Sequence, residues 1–251
     1  MPRLIILGTS FAIPDQQHEN THFAVVGEDR FLLIDTGSNP TVRLTQAGLD
    51  LLKLSDLLLT HFHPDHVSGT PSLLMNSWLK GRKNLLDIYG LEDTLKRVEK
   101  NMDLYEWASW PNFFPTRFNN IPHEERSPVL AAKDFSVFVS PVRHMIPVIG
   151  VRIESQLTGQ VIVYSGDTEP SEEVIRLSAG ADILIHEASG AGFGHSSAAQ
   201  AGEVARQAGV NRLYLIHYPT GGFDPNPLVD QASQTFSGPV ILAQDLMEIE
   251  F

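Results

Sequence analysis

The chain has 251 residues, of which 42% are apolar and 19% charged. This is the composition of a globular protein, and the length fits one domain over residues 1–251. No run of ~18 uncharged apolar residues could cross a bilayer, and Met1–Gly8 predicts a first strand rather than a signal peptide. We therefore expect a cytoplasmic protein without a membrane partner.

The absence of cysteine excludes disulfides and thiolate chemistry. The net charge of −12 disfavours nucleic acid as a partner because like charges repel.

The first half of the chain alternates strand-like and helix-like segments. Helices are predicted at Pro40–Gly48, which has Pro at its start and Gly at its end, and at Glu92–Met102. Short apolar runs bounded by Gly, Asn, Asp and Pro predict four strands, at Leu4–Leu7, Phe23–Val26, Phe31–Asp35 and Asp56–Thr60.

An aromatic-rich segment follows at Leu104–Pro128. It holds Trp107, Trp110, Phe113 and Phe114 interleaved with prolines, a pattern too irregular for a core helix. We interpret this segment, at about 104–128, as an inserted lid or loop. Its rings either wall a substrate pocket or pack against the body of the protein or a dimer partner.

The second half repeats the alternation. Helices are predicted at Ser171–Ser178 and at Ser197–Gln207, the latter ending at Gly209. Strands are predicted at Phe135–Val142, Val148–Glu154, Gln160–Ser165, Asp182–His186, Arg212–His217 and Val240–Leu242. Strands and helices in each half predict an α/β fold with two sheets stacked between helices.

A dense group of metal-ligand residues follows the strand at Asp56–Thr60. In an extended segment residues two apart point the same way, so His61 and His63 can aim both imidazoles at one point. Pro64 then turns the chain and brings Asp65 and His66 to a second point, where a second metal would lie ~3.5–4 Å from the first. An exposed His-rich loop is the plainer interpretation, but four candidate ligands in six residues favour a metal site.

Three further candidates follow predicted strands. His144, Asp167 and His217 each come directly after or at the end of an apolar run, where ligands are held on rigid supports. Each also has an ordinary explanation. His144 fits a surface loop, Asp167 a turn after Gly166, and His217 a core histidine.

The order of these pieces resembles the metallo-β-lactamase superfamily. The resemblance covers roughly Leu4 to His217 and implies a four-layer αββα sandwich. Carried over position by position, it implies that two Zn²⁺ ions are bound, with Mn²⁺ or Fe²⁺ as substitutes. It assigns the first ion to His61, His63 and His144, the second to Asp65, His66 and His217, and both to Asp167.

Within the superfamily the chain is similar to the ribonuclease Z branch, the transfer-RNA 3′-processing endonucleases and their phosphodiesterase relatives. The segments that carry this likeness are Leu7–Ser10, Phe31–Asp35, His186–Ala188 and His195–Ala201. The resemblance implies that His195 contacts the scissile phosphate or protonates the leaving oxygen, and that Glu187 orients it. We expect Asp65, His195 and Glu187 to take part in catalysis. The alternative for each residue is a purely structural role, with His195 at the N-terminus of a helix and Glu187 as a carboxylate in a loop.

Two departures from the branch bear on the substrate. The chain has Gly37-Ser38-Asn39-Pro40-Thr41 where these endonucleases usually have Gly-Glu-Gly-Thr-Gln, and only 22 residues separate His144 from Asp167. That interval has no room for the long RNA-gripping arm often inserted there. The missing arm and the negative charge disfavour transfer RNA, whose binding relies on Lys and Arg.

We therefore expect a dinuclear zinc hydrolase acting on a small phosphodiester or related ester through a metal-bridging hydroxide. The alternatives are a transfer-RNA 3′-processing endoribonuclease and a lactonase or arylsulfatase on the same fold. A non-catalytic metal-binding protein and a di-iron reductase are less favoured, the first because the ligands are complete and the second because a flavin domain is missing. Nucleic acid and a second copy of the chain stay open as partners.

Overall fold

The computed structural model describes residues 1–251 and consists of two seven-stranded mixed sheets packed face to face. The first sheet has the order β14-β1-β2-β3-β4-β5-β6, and the second has the order β13-β12-β11-β10-β9-β8-β7. The strands of the first sheet are β1 (Arg3–Gly8), β2 (His22–Val26), β3 (Phe31–Ile34), β4 (Asp56–Leu59), β5 (Leu86–Gly90), β6 (Thr116–Asn120) and β14 (Glu248–Glu250). Those of the second are β7 (Ser127–Ala131), β8 (Phe135–Val142), β9 (Val148–Ser155), β10 (Val161–Tyr164), β11 (Ile183–Glu187), β12 (Arg212–Ile216) and β13 (Val240–Leu242).

Helices cover the outer face of each sheet. They are α1 (Pro40–Gln46), α2 (Pro64–Val67), α3 (Thr70–Leu79), α4 (Glu92–Asp103), α5 (Glu172–Ser178), α6 (Ala198–Ala208) and α7 (Asn226–Ser233), with short 3₁₀ helices at Leu51–Lys53 and Trp107–Ser109. No helix combines the length and the apolar character needed to span a membrane.

The strand sequences explain the layers. In β1 the side chains of Leu4 and Ile6 join the core between the sheets, whereas Ile5 joins the core beneath α1, α3 and α4. Successive residues of a strand point to opposite faces, so an unbroken apolar run marks a strand that is buried on both faces. Phe23 and Tyr164, from opposite sheets, meet with ring centroids 4.7 Å apart. The predicted four-layer αββα sandwich is confirmed.

Most predicted elements lie where the sequence placed them. Helix α6 has Ser197 as its N-cap in a capping box with Gln200, and it ends at Gly209, whose φ of 66° is left-handed. Several elements were not predicted, namely α2, α3, α7, β5, β6, β7 and β14. The edge strand β14 has one apolar residue, Ile249, between two exposed glutamates, and so lacks a strand-like apolar run.

The aromatic-rich segment is more regular than expected, because residues 116–120 form β6 at the edge of the first sheet. Phe114 is buried against α3 and α4, while Trp107, Trp110 and Phe113 pack on the same cluster. Trp110 stacks on Trp78 of α3 with ring centroids 5.1 Å apart. The rings therefore pack against the body of the protein.

Candidate metal centre

The candidate ligands converge on one edge of the sandwich. The strands β3 and β4 are parallel, as are β10, β11 and β12, and β8 is parallel to β10 through the antiparallel strand β9 between them. The carboxyl ends of parallel strands lie at the same edge of a sheet. His61 and His63 follow β4, and His144, Asp167 and His217 follow β8, β10 and β12.

Two groups of side chains share this edge. The first consists of His61, His63, His144 and Asp167, and the second of Asp65, His66, Asp167 and His217. In each group the potential ligand atoms lie within 4.8 Å of one another. All seven residues singled out from the sequence are therefore brought together, with Asp167 common to both groups.

In the first group the ring nitrogens face one another. Nδ1 of His63 is 3.0 Å from Nε2 of His61 and 3.1 Å from Nε2 of His144. Burial lowers the pKa of all three imidazoles, most strongly that of His61. Neutral imidazoles present lone pairs at close range, which is the state in which histidine binds a metal.

The second group is built around the Asp167 carboxylate. Its Oδ2 atom is 3.3 Å from Nε2 of His66 and 3.3 Å from Nε2 of His217. Asp65 Oδ2 lies 3.5 Å from the same His66 nitrogen. Two carboxylates and two imidazoles thus point at one volume.

Unpaired buried atoms provide a test of whether a metal fits. His66 Nε2 and Asp167 Oδ1 are both buried and have no hydrogen-bond partner in the protein. Buried polar atoms are normally paired, so these two unpaired atoms within one group of candidate ligands indicate a missing partner. Burial lowers the pKa of His66, but the carboxylates of Asp167 and Asp35 outweigh it and raise that pKa well above its usual value. The site is short of positive charge, and the residues therefore fit a metal cation.

Outer contacts orient the imidazoles. His66 Nδ1 donates to Asp35 Oδ2 at 2.8 Å, and His144 Nδ1 donates to the Gly194 carbonyl oxygen at 2.6 Å. The hydroxyl of Thr21 is 3.2 Å from His217 Nδ1. Such contacts to the second nitrogen of a ligand histidine set its tautomer and leave Nε2 free to bind.

The backbone is left-handed at two non-glycine residues of this edge. Asp35 has a φ of 62° and His217 a φ of 52°, although neither is glycine. Asp35 also accepts hydrogen bonds from the backbone and the hydroxyl of Thr60, both at 2.8 Å. Non-glycine residues keep the left-handed conformation only where their surroundings enforce it, which occurs often at functional sites.

Two glycines let the chain pass close to the ligands. Gly166 has a φ of 64°, and a Cβ there would lie 2.8 Å from the Ile149 carbonyl oxygen. Gly194 has a φ of 80°, and a Cβ there would lie 2.8 Å from Nδ1 of His144. A larger residue at Gly194 would displace the candidate ligand His144, and one at Gly166, directly before Asp167, would collide with the backbone of β9.

Glu187 and His195 form a pair beside the two groups. His195 Nδ1 donates to Glu187 Oε1 at 2.9 Å, and its ring lies 4.8 Å from that of His144, between centroids. Burial lowers the pKa of His195, but the hydrogen bond and charge of Glu187 outweigh burial and raise it. The preceding residue, His186, is buried with its Nε2 atom unpaired and belongs to neither group.

A cavity of about 540 Å³ opens above both groups. Its lining includes candidate ligands, His195, a glycine-rich segment at 189–192 and three apolar side chains, those of Phe11, Ala12 and Met145. None of the aromatic residues of 104–128 lines it.

Sequence reasoning missed three residues that shape this site. Asp35 directly follows β3, so the argument that strand ends share an edge could have placed it here. Phe11 and Met145 carry no motif, and only their positions next to β1 and to His144 would have pointed to them.

Two sheets between helices, with a histidine and aspartate cluster able to hold metal ions at one edge, define a metallo-β-lactamase fold. The chain belongs to the beta-lactamase superfamily domain family, whose family model matches residues 30–218.

The chain is also similar to individual proteins over its whole length. It is 29% identical to ribonuclease Z of Methanothermobacter thermautotrophicus, with 100% of this chain and 97% of the relative covered. The metallo-beta-lactamase fold protein YhfI from Bacillus subtilis has a TM-score of 0.81 at 24% identity, with 100% of both chains covered. The short form of human tRNase Z has a TM-score of 0.78 at 23% identity, with 99% of this chain and 98% of that chain covered. The protein is a metal-dependent hydrolase of the kind related to ribonuclease Z.

Proposed function

We propose that the enzyme is a dinuclear zinc phosphodiesterase that acts on small phosphodiesters. In this proposal His61, His63 and His144 hold one ion and Asp65, His66 and His217 hold the other. Asp167 contacts both. The donor set contains only nitrogen and oxygen, which suits Zn²⁺ and also admits Mn²⁺ or Fe²⁺.

The bound metals would supply Lewis acidity and a water of lowered pKa. The chain's own contribution lies in His195. His195 lines the cavity, and its Nδ1 atom donates to Glu187, so Nε2 is the nitrogen that is available to a substrate. A protonated imidazole there can donate its proton to the oxygen of the leaving group. Glu187 keeps the ring in place and favours the protonated form.

The observation that carries the proposal is the lining of the cavity. It contains His195, a side chain that can protonate a leaving alkoxide, and no lysine or arginine. Arg143, next to His144, is turned to the carboxylates of Glu169 and Glu173 at 4.0 and 3.4 Å. A long polyanion gains its affinity from contacts between such cations and its phosphates. A substrate with a single phosphodiester group can be bound by the metal centre without such lysine or arginine contacts.

The length of the chain supports the same conclusion. The alignment with the Methanothermobacter ribonuclease Z runs over 306 positions, against 251 residues here, so the relative carries stretches that this chain lacks. Only 22 residues connect His144 to Asp167, and they form β9 and β10 with short turns. No part of this interval extends from the body as an arm.

The second candidate is transfer-RNA 3′ processing. The relatives named ribonuclease Z and the human tRNase Z cover almost the whole chain, which favours this activity. The lack of lysine and arginine in the cavity lining and the net charge of −12 both disfavour transfer RNA as the substrate.

A substrate panel on zinc-loaded and manganese-loaded protein separates the candidates. It comprises bis(p-nitrophenyl) phosphate, a precursor transfer RNA with a 3′ trailer, an aryl lactone and an aryl sulfate. We expect the diester to have the largest kcat/KM. Accurate removal of the trailer at a higher kcat/KM than that of the diester would establish the second candidate instead. A preference for the lactone or the sulfate would contradict both.

A further inference from the structure

The wall of the cavity next to the second ligand group contains one large apolar side chain. Phe11 follows β1, and its partly exposed ring lines the cavity together with Asp65 and His217. Hydrogen bonds hold the backbone that carries this ring. The Phe11 backbone nitrogen donates to the Tyr218 carbonyl oxygen at 3.1 Å, and Asn20 Nδ2 donates to the Phe11 carbonyl oxygen at 2.8 Å.

The wall beside His195 has a different character. Gly190 and Gly192 line it with backbone alone, and a Cβ at either position would meet no atom within 4 Å. Gly190 has a φ of 121°, and its nitrogen donates to the Ser196 carbonyl oxygen at 3.1 Å. This hydrogen bond fixes the segment next to His195. Met145, next to the candidate ligand His144, adds a half-exposed thioether to the lining.

We propose that the Phe11 ring forms a stacking surface for a planar aromatic group, and that the enzyme prefers phosphodiesters whose non-leaving arm is an aryl group or a nucleobase. This inference rests on the proposed phosphodiesterase function. We refer to this ring and the cavity wall next to it as the aromatic slot.

The direction of the substrate follows from His195. The leaving oxygen must lie within hydrogen-bond reach of the proton donor, so the leaving arm runs along the glycine wall. The non-leaving arm then lies against the wall that contains Phe11. A ring packs well on another ring. No cation lines the cavity, so a neutral arm is bound in preference to one that bears a further phosphate.

Two diesters with the same leaving group test the slot. Bis(p-nitrophenyl) phosphate and methyl p-nitrophenyl phosphate both release p-nitrophenolate, but only the first has an aromatic non-leaving arm. In Phe11→Ala we expect KM for the diaryl diester to rise about 5- to 50-fold with kcat nearly unchanged, since stacking on an aromatic side chain contributes on this scale. KM for the methyl diester stays within about twofold. Phe11→Tyr restores the wild-type KM because it keeps the ring.

Phe223→Ala is the control, because Phe223 is also a phenylalanine with solvent access but does not line the cavity. Equal changes of KM for both diesters, or none for either, would overturn the aromatic slot and leave the phosphodiesterase function standing. Failure of the unaltered enzyme to hydrolyse either diester would contradict that function, and the slot with it.

Discussion

Glu187 and His195 are eight residues apart in the chain, and Glu187 Oε1 accepts the Nδ1 proton of His195 at 2.9 Å. The same carboxylate accepts hydrogen bonds from the backbone nitrogen of Thr168 at 3.1 Å and from both the nitrogen and the hydroxyl of Ser189. One buried side chain therefore connects the loop of Asp167 with the loop that carries the proposed acid. The position of His195 relative to the metal centre depends on this connection.

Replacing His195 tests the proton donor. In His195→Ala we expect kcat for a phosphodiester with an alkoxide leaving group to fall about 10²- to 10⁴-fold, the usual contribution of a positioned acid, whereas the release of p-nitrophenolate, which needs no proton, is less affected. Metal content stays at the wild-type level because His195 belongs to neither ligand group. Steady-state kinetics and elemental analysis of the same preparation check both statements. His123→Ala, at an exposed histidine outside the cavity, is the control. A wild-type rate in His195→Ala would remove this residue from the mechanism.

Replacing Glu187 tests its positioning role. Glu187→Gln keeps the size of the side chain but turns an amide group towards several donors that now face a carboxylate. We expect kcat to fall about 10- to 100-fold, as for other residues that orient an active-site histidine, with KM unchanged. Thermal unfolding, measured alongside, reports the cost of the mismatched hydrogen bonds. A raised KM with kcat intact would assign Glu187 to substrate binding instead.

Asp35 offers a test of the outer contacts. Asp35→Asn weakens the bond that fixes His66 Nδ1 and removes a negative charge beneath the second ligand group. We expect the affinity for the more weakly held metal to fall about 10- to 100-fold, as is typical for such contacts. Competition with a zinc chelator measures it. Asp230→Asn, on the exposed side of α7, serves as the comparison. Equal affinities in the two variants would show that Asp35 does not support the metal centre.

The aromatic residues of 104–128 are expected to affect stability and not activity. Trp110 stacks on Trp78 and contacts Phe113 with ring centroids 5.6 Å apart, away from the cavity. In Trp110→Ala we expect the free energy of unfolding to fall by about 1–3 kcal/mol, less than for a fully buried tryptophan. Denaturant unfolding measures the loss. A substantial rise in KM with little loss of stability would show that this segment does reach the substrate.

The sequence predicted the candidate metal ligands but not the cavity wall, and this difference has a physical reason. Four candidate ligands lie in one short motif, and three others end apolar strands, so the common edge of parallel strands brings them together whatever the loops do. Phe11 and Met145 could not be found this way, because a single apolar residue in a loop has no pattern that distinguishes a cavity wall from a surface position. The placement of Trp107 and Trp110 depended on contacts with α3 and α4, and α3 itself has apolar residues on both its buried and its exposed sides. Their packing was therefore left open by the sequence.

The measurement that bears most directly on the account is a zinc titration of metal-free enzyme, followed by activity on bis(p-nitrophenyl) phosphate and by the zinc retained after gel filtration. We expect activity to reach its plateau at about two ions per chain. In Asp167→Asn, which alters the one residue shared by both ligand groups, we expect the retained zinc to fall to one ion or fewer and activity to be lost. A plateau at one ion per chain, or full activity in the metal-free enzyme, would contradict the dinuclear mechanism.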